Sequence, residues 1–64
     1  MTGLPDLQHA SDRELVRQWR DRAAELDVLA RILRRNDDES GAEITETAAR
    51  HYREDASRLE REAA

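Results

Sequence analysis

The sequence predicts an all-α fold: a two-helix antiparallel hairpin that dimerises into a four-helix bundle. Apolar residues recur at helical spacing on both sides of a polar break, Asn-Asp-Asp-Glu-Ser-Gly at residues 36–41. A connection this short makes the two helices lie antiparallel. Large apolar side chains are few in these 64 residues, and a domain of this size buries only about 60% of the surface of its unfolded chain. We therefore expect a second copy or another protein to complete the core.

Two capping patterns predict where the helices start. Ser11–Glu14 and Ser40–Glu43 both have the S-x-x-E form of a capping box, in which the two side chains accept hydrogen bonds from free amides of the first turn. Asn36 tolerates the left-handed conformation that often closes a helix. The alternative is one continuous helix through Gly41, which costs about 1 kcal/mol.

These signals define the domain organisation. Residues 1–10, with Gly3 and Pro5, are predicted to be an irregular N-terminal segment, and residues 11–64 a single helical-hairpin domain. Within that domain we expect helix 1 at about residues 12–35, a turn at residues 36–40, and helix 2 at about residues 41–62.

Composition narrows the class of protein. There is no cysteine, so disulfides and thiolate metal sites are excluded. The net charge is −4: residues 1–35 hold seven Arg and six acids, and residues 36–64 hold four Arg and nine acids. No apolar run approaches the length of a membrane span, and no signal-peptide pattern is visible. We therefore expect a cytoplasmic location and no membrane partner.

One face of each predicted helix is apolar, and we expect the two faces to form the seam of the hairpin. In helix 1 the face comprises Leu15, Trp19, Leu26, Leu29, Ala30 and Leu33, flanked by Val16 and Ala23; in helix 2 it comprises Ile44, Ala48, Tyr52, Ala56, Leu59 and Ala63. On the outer face of helix 2, five charges alternate in sign every four residues and are expected to pair: Glu46, Arg50, Glu54, Arg58 and Glu62.

A second apolar surface lies off the predicted seam. Val28 and Ile32 are one turn apart on the far side of Leu29, so the C-terminal half of helix 1 is apolar around more than half its girth. One partner helix cannot cover that much surface. The predicted interface comprises Val28, Leu29, Ile32, Leu33, Trp19 and Tyr52.

This interface predicts a small non-enzymatic protein that acts through association with protein. The chain would form a homodimer or higher homo-oligomer, or serve as a regulatory adaptor. An antitoxin-like or anti-sigma-like chain that binds a different protein would use the same apolar surface, so the sequence leaves these alternatives open.

Part of helix 2 is similar to a known nucleotide-binding signature. Glu43, Thr47 and Arg50 have the spacing of the first three positions of Glu-x3-Ser-x2-Arg-x3-Gln-x3-Asp. That is the cyclic-di-GMP signature of the actinobacterial hairpin anti-sigma factors. Glu54 and Arg58 then stand where the signature has Gln and Asp, and helix 1 carries no second copy. The sequence therefore does not place the chain in that family.

A row of arginines on helix 1 predicts the alternative function. Five of them fall within a narrow sector opposite the predicted seam: Arg13, Arg17, Arg20, Arg31 and Arg35. Such a row can follow phosphates, so nucleic-acid or nucleotide binding is the alternative to protein association. The row can also be a solvated face balanced by the acids beside it.

We expect no catalytic residue, no cofactor and no metal site. His9 and His51 lie on different segments and lack the Glu-x-x-His spacing of helical metal sites. The serines cannot be combined with these two distant histidines into a nucleophile, a base and an orienting group.

Overall fold

Two helices make up the part of the chain that the structure describes. It is a computed structural model that describes the backbone of residues 4–63 and the side chains of residues 11–62. α1 spans Leu4–Arg35 and α2 spans Glu39–Ala63, and the two pack against each other as a hairpin. The hairpin is a rod of 54 × 15 × 12 Å. The predicted all-α hairpin is confirmed, and residues 4–63 contain no strand.

α1 begins earlier than the sequence predicts. Residues 4–10, predicted to be irregular, belong to the helix, whereas residues 1–3 lie outside the described part. Pro5 does not prevent this, because proline in the first turn of a helix loses no intrahelical hydrogen bond and its fixed φ suits a helix start. Ser11–Glu14 therefore lies inside α1 and is not its cap.

The turn closes α1 through backbone hydrogen bonds. Asp37, rather than Asn36, takes the left-handed conformation, with a φ of 61°. The Asp38 N–H donates to the Leu33 carbonyl at 2.9 Å, and the Asp37 N–H donates to the Arg34 carbonyl at 3.1 Å. These are the paired bonds of a Schellman motif. An aspartate thus occupies the position at which glycine is most common.

Asp38 also begins α2. Its Oδ1 accepts a hydrogen bond from the Gly41 N–H at 2.9 Å, and its carbonyl accepts one from the Ala42 N–H at 3.0 Å. Asp38 is therefore the N-cap. Ser40, which the sequence predicts as the cap, lies inside the first turn of α2. A Cβ on Gly41 would lie only 2.5 Å from Asp38 Oδ2, so the capping carboxylate occupies the space that a larger residue needs.

This arrangement predicts coupling between Gly41 and Asp38. We expect Asp38→Ala to cost about 1 kcal/mol of the free energy of unfolding through loss of the cap. Gly41→Ala should then add about 1 kcal/mol in the Asp38→Ala background, where only its helix propensity acts. In the wild-type background the displaced cap should cancel most of that gain. Urea unfolding at one fixed protein concentration measures all four chains; equal effects of Gly41→Ala in both backgrounds would disprove the coupling.

A heptad repeat of small residues forms the seam. The buried residues recur every seventh position, as Val16, Ala23 and Ala30 in α1 and as Ala42, Ala49 and Ala56 in α2. The residue three positions after each of them is half-buried: Trp19, Leu26, Leu33, Thr45, Tyr52 and Leu59. This is the a and d spacing of a coiled coil. The Thr45 hydroxyl is satisfied within its own helix, because it donates to the Gly41 carbonyl at 2.7 Å.

The seam is rotated relative to the predicted one. Leu15, Leu29 and Ile44, predicted in the seam, are 38%, 43% and 72% exposed. The short alanine side chain lets two helix backbones approach closely, so alanine rather than the larger residues takes the central row. No large side chain among residues 11–62 is fully buried. The hairpin alone therefore has a thin core.

Candidate protein-interaction surface

Besides the pair of Arg34 with Glu39 at the start of α2, three ion pairs between the helices lie along one edge of the hairpin. They join Arg20 to Glu60, Asp27 to Arg53, and Arg34 to Glu46. Each of these six residues stands four positions after a buried seam residue, so all six lie on the same side of the seam. The charges alternate in sign along both helices. The pairs therefore define the register in which α1 and α2 face each other.

Two of these pairs are bidentate. Arg34 donates from Nη1 and Nη2 to Glu46 at 3.0 and 2.9 Å, and Arg20 donates to Glu60 at 3.2 and 2.8 Å. These hydrogen bonds lower the pKa of the Glu46 and Glu60 carboxyls and raise the pKa of both guanidinium groups. The four side chains remain 43–58% exposed. Because water screens exposed pairs, we expect them to select the register more than to add stability.

The other side of the seam is apolar near the turn. Val28, Leu29 and Ile32 on α1 are 51%, 43% and 48% exposed, and half-buried Leu33 adjoins them. Ile44, near the start of α2, lies on this same side. It stands two residues after buried Ala42 and is therefore turned by about 200° from it, away from the side that carries Glu46. We call these five residues the turn-proximal apolar face. The three ion pairs of the edge all lie on the opposite side of the seam.

The remaining predicted interface residues lie elsewhere on the hairpin. Trp19 and Tyr52 are half-buried and line a shallow groove together with Ala48, His51 and Asp55. Trp19 stands nine residues before Val28, about 14 Å along the helix axis. The structure therefore brings four of the six predicted interface residues into one face and places the other two in a separate groove.

The arginine row of α1 is partly engaged in ion pairs. Arg17 donates to Glu14 at 2.6 Å, and Arg20 belongs to the edge pair with Glu60. Arg13, Arg31 and Arg35 are exposed and form no ion pair with the described side chains of residues 11–62. The predicted pairing along the outer face of α2 is seen in part: Arg50 lies 3.9 Å from Glu54, whereas Glu46 turns to Arg34 and Arg58 donates to Asp55.

Sequence reasoning misses two features of this surface. Ile44 is predicted in the seam but lies on the turn-proximal apolar face. The ion-pair edge is also missed, although a signal for it exists: charges alternate every seventh residue in both helices. These are Arg20, Asp27 and Arg34 in α1 and Glu46, Arg53 and Glu60 in α2.

Within the described residues, no group of three or more His, Asp or Glu side chains is placed to hold a metal ion. Within residues 4–63, neither helix is both long and apolar enough to cross a membrane.

Comparison with family models, curated proteins and solved structures finds no match to this chain. The chain's own surfaces are therefore the basis for a functional proposal. Four of the five large apolar side chains that are exposed in residues 11–62 belong to the turn-proximal apolar face.

Proposed function

We propose that this chain is a non-enzymatic helical-hairpin protein that acts by associating with protein through its turn-proximal apolar face. The observation that carries the proposal is the exposure of Val28, Leu29 and Ile32 at 43–51% on consecutive turns of one helix. Contiguous exposed apolar side chains of this kind mark interaction sites on soluble proteins.

The thin seam supports the same proposal. Its buried row consists of five alanines and one valine, which contribute little apolar area. Covering the exposed halves of Val28, Leu29 and Ile32 would contribute about 1 kcal/mol for each side chain. For a chain whose own core is small, a partner on this face adds a substantial share of the stability.

Nucleic-acid or nucleotide binding has less support as the alternative. Arg17 and Arg20 are held by Glu14 and Glu60, and the net charge of the chain is −4. A phosphate backbone is bound by clustered positive charge, whereas four of the seven arginines of α1 are paired with acidic side chains.

The proposal is tested by site-specific photocrosslinking in the cells that produce the chain. A benzophenone amino acid replaces Val28 in one variant and Ala24, an exposed residue of the same helix, in the control. We expect an adduct from position 28 and little or none from position 24. The mass of the adduct separates a second copy from a different protein. Lack of any position-28 adduct, in a variant that keeps its helical circular dichroism, would overturn the proposed function.

A further inference from the structure

We infer that the α1 part of the turn-proximal apolar face binds a second copy of this chain, with the two α1 helices antiparallel about a two-fold axis near Ala30. This inference rests on the proposed function and names its partner. It is carried by the order of residues along α1 and by the surface that the monomer leaves exposed.

The outward side of α1 carries a symmetric pattern around Ala30. Glu25, Val28, Ile32 and Arg35 are spaced by three, four and three residues, which is the spacing of coiled-coil seam positions. All four are exposed. α1 therefore carries a second row of residues with seam spacing, on the side that α2 does not cover.

When two α1 helices pair in antiparallel orientation, this pattern on one helix faces the same pattern on the other. A two-fold axis near Ala30 places Val28 opposite Ile32 of the partner subunit, and the same axis places Glu25 opposite Arg35 of the partner subunit. The result is an apolar centre with a pair of opposite charges at each end. Parallel pairing would instead place Glu25 against Glu25 of the partner subunit and Arg35 against Arg35 of the partner subunit. The charges therefore favour the antiparallel arrangement.

Two further residues fall beside the axis. Leu29 flanks the contact between Val28 and Ile32 on one side, where the two-fold axis brings it next to Leu29 of the partner subunit and so extends the apolar centre. Arg31 stands on the other side and would meet Arg31 of the partner subunit. That like-charged contact is the one unfavourable feature of the arrangement, and it makes Arg31→Ala a variant that should associate more tightly.

A charge-swap series tests the inference on the purified full chain by sedimentation equilibrium at low salt. We expect the wild type to be a dimer, and we expect Glu25→Arg and Arg35→Glu each to weaken self-association at least about tenfold, because each change creates two like-charged contacts per dimer. The double variant restores both opposite-charge pairs and should return to within about threefold of the wild type. Glu54→Arg, an exposed charge reversal on α2, is the matched control and should leave the mass unchanged.

The outcomes separate this inference from the proposed function. Failure of the double variant to recover, while each single variant remains helical by circular dichroism, would overturn the antiparallel arrangement. A wild type that stays at 7.4 kDa up to about 1 mM would overturn self-association. The proposed function would survive that second result if the position-28 crosslink joins the chain to a different protein, and it would fail if no crosslink forms.

Discussion

Replacing Ala23 by leucine is expected to lower the free energy of unfolding by about 2–3 kcal/mol, the cost of overpacking a tight interface. Ala23 is fully buried in the central row of the seam, where α2 leaves no room for three more carbon atoms. The helices must move apart, and the neighbouring half-buried residues then lose their contacts as well. Because the seam is thin, no other part of the hairpin compensates.

The adjacent residue provides the control. Ala24 is exposed, so Ala24→Leu makes the same chemical change one position away and should alter the free energy of unfolding by no more than about 0.5 kcal/mol. Urea unfolding followed by far-UV circular dichroism, at one protein concentration, compares the two variants with the wild type. If both variants were equally stable, the seam would not pass through Ala23, and the predicted leucine-rich face would be the better description of the hairpin.

Trp19→Ala is expected to cost about 2 kcal/mol. Truncation of a fully buried large aromatic residue to alanine lowers the free energy of unfolding by roughly 3–5 kcal/mol. Trp19 is half-buried, so we expect a smaller decrease. The ring occupies the seam position three residues after Val16 and lines the groove shared with Tyr52. Removal of the ring leaves that groove open to water along one side of the hairpin.

Trp19→Leu is the control for this prediction. Leucine retains an apolar side chain at the same seam position and should recover about half of the lost stability. The measurement is again urea unfolding by circular dichroism, since Trp19 is the only tryptophan of the chain and its fluorescence is lost in both variants. A Trp19→Ala variant with wild-type stability but weakened association would show that Trp19 contacts a partner and not the hairpin.

The two helices, the turn and the exposed pair Val28 and Ile32 follow from the sequence because they depend on local signals. Helical periodicity places Val28 and Ile32 away from α2 in both the predicted seam, which includes Leu29, and the observed seam, which does not. The seam itself depends on how closely two helices can approach, which is a property of the pair. Alanine is only weakly hydrophobic. In the pattern of a single helix, Ala23 and Ala49 therefore indicate a buried face less clearly than Leu29 or Ile44 does.

The caps illustrate a similar limit. Asn36 and Asp37 both tolerate a left-handed conformation, and both Asp38 and Ser40 can cap a helix. The sequence alone does not choose between them. The structure selects Asp37 and Asp38, and the choice is compatible with the register set by the ion pairs, which lie as far as 40 residues apart in the chain.

The shared register of the seam and the ion-pair edge also constrains how a chain of this design can change in length. One residue inserted between Ala30 and Arg34 would turn the remainder of α1 by about 100° and carry Arg34 away from Glu46. A compensating insertion in the turn cannot reverse that rotation. Both helices must instead lengthen together by whole heptads, seven residues in each, to keep alanine facing alanine and arginine facing glutamate. Descendants of this hairpin should therefore vary freely in the identity of their exposed residues while their helix lengths change in matched steps.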